Sequence, residues 1–208
     1  MHVRNRVGVG AVAVAAAALL AGATPAYAQT TLSEGHVDVI DVHLHGDHFH
    51  VHVHAEDLGQ SFEPSEVVFE VNDNAAGTIT AESAFVGAPV GSAAWVLPAE
   101  ATDGVLFAGF SAHDLAPGDT DDDQVHVALT GVSGPGDIGL WDADDLSVVF
   151  NSFDGLDSED VLTLGPDAHY HPAWVFTDAG QYFLTFEVSA LVGGTTITDE
   201  ATLEFVVG

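Results

Sequence analysis

"DAGQYFLTFEVSALVGGTTITDEATLEFVV", residues 178–207, is the stretch that decides the fold. Asp178, Gly180 and Tyr182 fit the D-x-G-x-Y pattern that leads into strand F of immunoglobulin-like sandwiches, where the tyrosine hydroxyl bonds back to upstream backbone. Apolar and polar residues alternate on either side of the glycine pair at 193–194. Because such alternation is typical of half-buried strands, we expect two long final strands joined at this turn.

Short β-favouring runs fill the chain upstream of this stretch. Examples are "EVVFEV" (66–71), "GVLFAGF" (104–110) and "VHVALTGV" (125–132), and turn-forming clusters such as "SGPGD" and "DADD" separate them. The sequence has no cysteine, and Leu184 occupies the position where strand F of such domains carries one. We therefore predict an all-β fold, a disulfide-free immunoglobulin-like β-sandwich with an N-terminal His-rich β-hairpin, as a single domain over residues 29–208.

Residues 1–28 have the features of a secretory signal peptide. Arg4 and Arg6 precede an apolar run that ends in the small-residue motif "AYA". The run is shorter than the ~20 residues that a membrane span requires, so we expect cleavage after Ala28, secretion, and no membrane insertion afterwards. The chain ends at Gly208 without a sortase motif or apolar anchor, which favours a secreted or partner-held protein at the cell surface.

The charge balance excludes whole classes of partner. The sequence has 32 acidic and 2 basic residues, and both basic residues lie within residues 1–28. Nucleic-acid binding is excluded because neutralising phosphates requires Lys and Arg, and binding to an anionic membrane surface is disfavoured for the same reason. An acidic surface without lysine is also typical of adaptation to high salt. The alternative function is therefore a structural cell-surface or cell-wall protein with a halotolerant surface and no specific metal role.

A histidine-rich segment, "DVIDVHLHGDHFHVHVHA" (38–55), predicts a β-hairpin with a two-residue turn at Gly46-Asp47 that begins with glycine. The turn predicts these opposed pairs: His45–His48, Leu44–Phe49, His43–His50, Val42–Val51, Asp41–His52 and Ile40–Val53. Opposed residues share a face, and successive residues alternate faces. One face is therefore apolar: Ile40, Val42, Leu44, Phe49, Val51 and Val53. The other face collects candidate metal ligands: Asp41, His43, His45, His48, His50, His52 and His54.

This second face suits a divalent transition metal. Opposed Cβ atoms lie ~4.5–5.5 Å apart, so two imidazoles can reach one ion at the Zn–N distance of ~2.0–2.1 Å. Without cysteine, and with Met1 the sole methionine, the residues favour Zn²⁺, with Ni, Cu(II), Mn and Fe as competitors. Copper/zinc superoxide dismutases and cupins also use His-x-His. The cysteine pair and arginine of the first and the glutamate of the second are missing, so we predict no enzyme activity.

Other polar residues outside the hairpin include isolated histidines and an acidic loop. His113 and His126 stand alone in the sequence, and we expect structural roles for both. In the loop "GDTDDDQ", Asp119, Asp121 and Asp123 offer oxygen ligands for Ca²⁺, although the glycine and distal glutamate of an EF-hand are missing.

Three segments carry a resemblance to a known family: "EGHVDV" (34–39), "GVSGPGDIGLW" (131–141) and "HYHPAWVFTDAGQYFLTFEVSAL" (169–191). In order and spacing they resemble the actinobacterial surface-anchored protein domain, also called the choice-of-anchor M domain. The resemblance extends over essentially the whole chain after the predicted signal peptide.

The resemblance implies a second set of metal ligands and a cellular role. By position, the family's motif histidines correspond to His36, His169 and His171, with Trp174 as a packing residue. The hairpin histidines are this sequence's own feature. Such domains are often encoded beside ABC transporters of the metal-uptake type. We therefore expect an exported protein that binds a transition metal and buffers it, or delivers it to an ABC transporter or its substrate-binding protein.

Overall fold

A computed structural model of the chain describes residues 29–208, so the predicted signal peptide at 1–28 lies outside the described residues. The strands are β1 (Thr30–Leu32), β2 (Gly35–His45), β3 (His48–Ala55), β4 (Gln60–Phe62), β5 (Val67–Val71), β6 (Ala76–Thr78), β7 (Ala93–Leu97), β8 (Leu106–Ser111), β9 (Val125–Ser133), β10 (Ile138–Trp141), β11 (Val148–Asn151), β12 (Val161–Leu164), β13 (His169–Tyr170), β14 (Ala173–Phe176), β15 (Gly180–Val192) and β16 (Thr195–Val207). The helical segments in this part of the chain are short 3-10 turns at Glu56–Leu58, Pro64–Glu66, Asp73–Ala75 and Ala84–Val86. Among the described residues, no helix has the length and apolar character needed to cross a membrane.

The largest sheet is built around the two final strands, and its order is β1-β5-β16-β15-β9-β12. Every second side chain of β15 points into the core, and Tyr182, Leu184 and Phe186 are fully buried there. The Tyr182 hydroxyl donates a hydrogen bond to the Asp178 carbonyl, 2.8 Å away. This is the tyrosine corner that the D-x-G-x-Y pattern predicts. The β15–β16 turn falls at residues 193–194, where both glycines have positive φ, so the predicted pair of long strands is confirmed.

Two five-stranded sheets complete the fold, with orders β11-β10-β14-β7-β6 and β13-β8-β2-β3-β4. One cluster of buried apolar side chains takes members from all three sheets. Within it the Phe110 ring of β8 lies 5.7 Å from Trp174 of β14 and 5.8 Å from Phe186 of β15, measured between ring centroids. The prediction of an all-β sandwich is confirmed, and its third sheet carries the histidine hairpin.

The hairpin β2–β3 has the predicted register from its turn to the pair of Asp41 with His52. In the turn at 46–47 only Gly46 has positive φ, 68°, as a turn of the type that begins with glycine requires. The apolar face points into the core, where these residues are buried: Ile40, Val42, Phe49, Val51 and Val53. The separation of apolar and histidine faces therefore exists as the sequence predicts.

Beyond that pair the predicted register is wrong. Ile40 does not pair with Val53, because a β-bulge interrupts β2 after Asp38. The extra residues of the bulge include Val39 and Ile40, and both are fully buried. The bulge shifts the pairing so that Asp38 lies opposite His54 and belongs to the polar face.

Candidate metal centre

Four ligand side chains converge at one end of the third sheet. His36 and Asp38 project from the same face of β2 because they are two residues apart on a strand. His169 belongs to the edge strand β13, and His171 follows directly after it. Strand β8 lies between β2 and β13, so the histidines of the edge reach across β8 toward β2.

Gly109 on β8 leaves room for this crossing. It pairs with Asp38 in the parallel β2–β8 ladder. A Cβ atom at position 109 would overlap the imidazole of His171. The His171 ring instead lies almost flat on Phe107, with centroids 3.8 Å apart and planes 13° from parallel. The missing side chain at 109 thus lets a histidine lie directly over the backbone of the sheet.

The four ligand atoms have the spacing of a tetrahedral metal site. His36 Nε2 lies 2.9 Å from His171 Nε2 and 3.2 Å from His169 Nε2. Asp38 Oδ1 lies 2.6 Å from His169 Nε2, 3.6 Å from His36 Nε2 and 3.7 Å from His171 Nε2. A zinc ion with four ligands at ~2.0–2.1 Å holds its ligand atoms ~3.3–3.4 Å apart. That separation lies inside the observed range, so the four atoms can share one ion.

The electrostatics of the cluster favour a cation. Asp38 is only 2% exposed, and the chain after residue 28 has no Lys or Arg to pair with it. Its close polar neighbours are instead the ligand histidines, and a metal ion bound among them would compensate the charge of the buried carboxylate. Burial, and then the neighbouring His36 and His169, lower the pKa of His171 to about 3. Its ring is therefore neutral at physiological pH, the form that binds metal.

Glu56 orients His36 from the side away from the cluster. The Glu56 carboxylate contacts His36 Nδ1, so that Nε2 faces the other ligands. A carboxylate on the far nitrogen of a ligating histidine fixes its tautomer and raises its basicity as a ligand. The backbone N–H of His36 also donates to Asp57 Oδ2 at 3.2 Å. The ligand histidine is thus held at both its ring and its backbone.

No family model, curated protein or solved structure matches this chain. The resemblance to the choice-of-anchor M domain stays a prediction. Within residues 29–208 the structure contains clusters of His with Asp or Glu that could hold a metal ion.

A second group of ligand atoms lies on the hairpin face, formed by His50 and His52 of β3 with Glu63. His50 Nε2 lies 3.2 Å, and His52 Nε2 3.8 Å, from Glu63 Oε1, and the two imidazole rings are 4.1 Å apart. Glu63 follows β4, the neighbour of β3, and caps the 3-10 turn Pro64–Glu66 through a capping box. Burial lowers the pKa of His52, and His50 and His43 lower it further.

His43 is held by carboxylates and belongs to neither ligand group. Its Nε2 lies 2.8 Å from Asp41 Oδ2, and its Nδ1 lies 2.8 Å from Asp114 Oδ2. His113, for which the sequence predicts a structural role, lies beside the same carboxylates, with Nδ1 3.5 Å from Asp41 Oδ1 and Nε2 3.3 Å from Asp114 Oδ1. Asp41 and His43 are therefore part of a ring of alternating carboxylates and imidazoles.

The remaining hairpin histidines also stand outside both ligand groups of the described residues. His45 and His48 face each other at the exposed turn, with ring centroids 6.1 Å apart. His54 Nδ1 lies 3.0 Å from the Ser61 hydroxyl. The six hairpin histidines thus share a face, as the sequence predicts, but only two of them combine with a carboxylate into a compact ligand set.

The acidic loop does not form a common ligand set within residues 29–208. Asp121 accepts hydrogen bonds from the backbone N–H groups of Gly193 and Gly194, at 2.8 and 2.7 Å. Asp119 and Asp123 accept from backbone N–H groups of the loop itself. Asp121 thus holds the loop against the β15–β16 turn. The predicted Ca²⁺ site is not supported, because the three carboxylates bond to backbone N–H groups and do not converge.

Four carboxylates of these clusters are not among the ligands predicted from sequence: Asp38, Glu56, Glu63 and Asp114. A signal for Asp38 was present, because it stands two residues from His36 on one strand and so shares its face. The other three follow strands or lie in turns, and their distance from the histidines depends on the tertiary fold. No local pattern marks them.

Proposed function

We propose that this is an exported protein that binds a divalent transition-metal ion, zinc, with His36, Asp38, His169 and His171. The observation that carries the proposal is the convergence of three imidazole nitrogens and one buried carboxylate oxygen within 4.8 Å of one another. Two ligands come from β2 and two from the segment beginning at β13, more than 130 residues later. A shared metal ion would explain why metal-ligand side chains from two such distant segments lie together.

Zinc is the ion that best fits this ligand set. Imidazole and carboxylate suit Zn²⁺, and the chain after residue 28 has no thiolate or thioether ligand for softer metals. Three histidines and Asp38 also fill all four tetrahedral positions, whereas catalytic zinc sites keep one position for water. The proposed role is therefore binding and release of the ion, without catalysis.

Export and delivery complete the proposal. The predicted signal peptide supports release to the outside of the cell. The acidic composition supports a role in collecting cations, because a strongly negative surface raises their local concentration. The resemblance to the surface-anchored domain supports a place beside an ABC-type metal-uptake system, to which the protein would deliver its ion.

Calorimetric titration with Zn²⁺, Ni²⁺, Cu²⁺ and Mn²⁺ tests the binding function. We expect a tight zinc site in the wild-type protein that disappears in the double variant His169→Gln/His171→Gln. His126→Gln is the matched control, because His126 lies on β9 of a different sheet and bonds to Thr163. If wild type and double variant give the same weak, non-saturating heats, the acidic structural-protein alternative holds.

A further inference from the structure

The group of His50, His52 and Glu63 offers an ion a different environment from the four-ligand site. It supplies three protein ligands, so a tetrahedral ion bound there keeps one position for water. Its side chains are on average more exposed. The exposed fractions are 43% for His50, 21% for His52 and 51% for Glu63, against 21% for His36, 3% for Asp38, 40% for His169 and 11% for His171. An ion with an open position and exposed ligands exchanges readily with solution. This group is called the open site below, and the four-ligand site the closed site.

Side-chain exposure falls along β3 from the tip of the hairpin to His52, with His50 between them at 43%. The side chain of His48 at the turn is 69% exposed, and that of His52 is 21% exposed. His171 in the closed site is 11% exposed. An ion that arrives at the hairpin tip therefore meets the most accessible imidazoles of β3 first.

Imidazoles form a continuous series along the same face. The ring centroids of His50 and His52 are 4.1 Å apart, and His43 is 4.9 Å from His52. From His43 the series continues to His113 and then to His54, each step 6.4 Å. His54 pairs with Asp38, a ligand of the closed site. Each step between imidazoles is 6.4 Å or less, and the last link to the closed site is this cross-strand pairing.

Carboxylates accompany this series and no fixed cation opposes it. Asp41 and Asp114 lie beside His43, and Oδ1 of the buried Asp41 has no hydrogen-bond partner. The chain after residue 28 has no Lys or Arg, so no side-chain ammonium or guanidinium repels a metal ion along the path. A surface of one sign concentrates and guides ions of the opposite sign.

We infer that the open site at His50, His52 and Glu63 captures a divalent metal ion and exchanges it with the closed site along this histidine face. The inference rests on the proposed function of the closed site. It adds a second binding site and a route, so that the hairpin sets how fast the closed site gains and loses its ion.

Stoichiometry tests the second site. Equilibrium dialysis against Zn²⁺ is expected to give two ions per wild-type chain, one tight and one weaker. His50→Gln/His52→Gln and, separately, Glu63→Gln are expected to retain the tight ion and lose the weaker one. Glu63→Gln keeps the shape of the capping side chain, so it remains informative if the double variant folds poorly. A wild-type protein that binds only the tight ion overturns the open site.

Release kinetics test the route. Protein loaded with less than one equivalent of Zn²⁺ holds its ion in the closed site, and an excess of chelator then removes it. Because an exchange route serves entry and exit alike, His50→Gln/His52→Gln should slow release by about tenfold while leaving the closed-site affinity unchanged. His126→Gln should release at the wild-type rate.

The outcomes separate the two proposals. Unchanged release from His50→Gln/His52→Gln, with the tight ion still bound, overturns the route and leaves the proposed function intact. Absence of a tight ion in the wild-type protein overturns the proposed function itself.

Discussion

Replacing Gly109 by alanine tests how the closed site is assembled. The added methyl group would overlap the imidazole of His171, which lies over β8 against Phe107. The substitution should cause no backbone strain, because Gly109 is not among the residues with positive φ. The His171 ring must therefore swing away from Asp38 or push the strands apart, and in either case the tetrahedral set loses a ligand.

The size of the effect follows from the role of that ligand. Losing a residue that only orients a ligand typically weakens metal binding ~10–100-fold. Loss of a direct ligand should weaken zinc binding by at least the upper end of that range, about 100-fold. This corresponds to about 2.7 kcal/mol of binding free energy. Overpacking should also lower the stability of the metal-free protein by ~1–3 kcal/mol if the ring stays in place.

Competition with a zinc chelator measures this affinity, and circular dichroism checks the fold. Gly77→Ala is the matched control: Gly77 lies in β6 and a Cβ there would have nothing within 4 Å. The control should bind zinc as the wild type does. A folded Gly109→Ala protein with wild-type zinc affinity would show that His171 is not a ligand in this position.

Three further predictions concern the site and the scaffold. Glu56→Ala should weaken zinc binding by ~10-fold, because His36 loses the carboxylate on Nδ1; an unchanged affinity in chelator competition argues against that role. Free Zn²⁺ at 100 times its dissociation constant should add ~2.7 kcal/mol to the free energy of unfolding and raise Tm by ~5–11 °C. His171→Gln should show no such shift, and a shift of equal size in that variant would contradict the site. Tyr182→Phe should cost ~1 kcal/mol at pH 8 through loss of the bond to the Asp178 carbonyl. Burial raises the pKa of Tyr182 to about 12, above the value near 10 of the unfolded chain, so its contribution is present below pH 10 and lost as the pH rises toward 12. By pH 11 the wild type should have lost ~1 kcal/mol that the phenylalanine variant does not lose, as denaturant unfolding at both pH values will measure.

The parts of the fold that local chemistry determines were predictable from sequence. The turn at 46–47 fixes the hairpin register through Asp41 and His52, because a two-residue loop allows one pairing. Tyr182 forms its corner because the motif contains both the tyrosine and the turn that receives its hydrogen bond. The predicted register fails at the bulge after Asp38, which the turn does not determine.

The closed site was only partly predictable. His36, His169 and His171 were named through a resemblance, and their meeting depends on β8 lying between β2 and β13, which no local pattern encodes. For the hairpin, the sequence predicted too many ligands. Six histidines on one face suggested a single metal-binding surface, whereas His43 is bound by the carboxylates of Asp41 and Asp114. Carboxylates brought in by the tertiary fold thus decide which histidines can bind an ion.

X-ray absorption at the zinc edge, together with anomalous diffraction from crystals loaded with one equivalent of Zn²⁺, will identify the ligands of the tight site. We expect one ion bound at ~2.0–2.1 Å by three imidazole nitrogens and one carboxylate oxygen, from His36, His169, His171 and Asp38. A first ion located on the hairpin face, or a coordination shell made mainly of water, would contradict it.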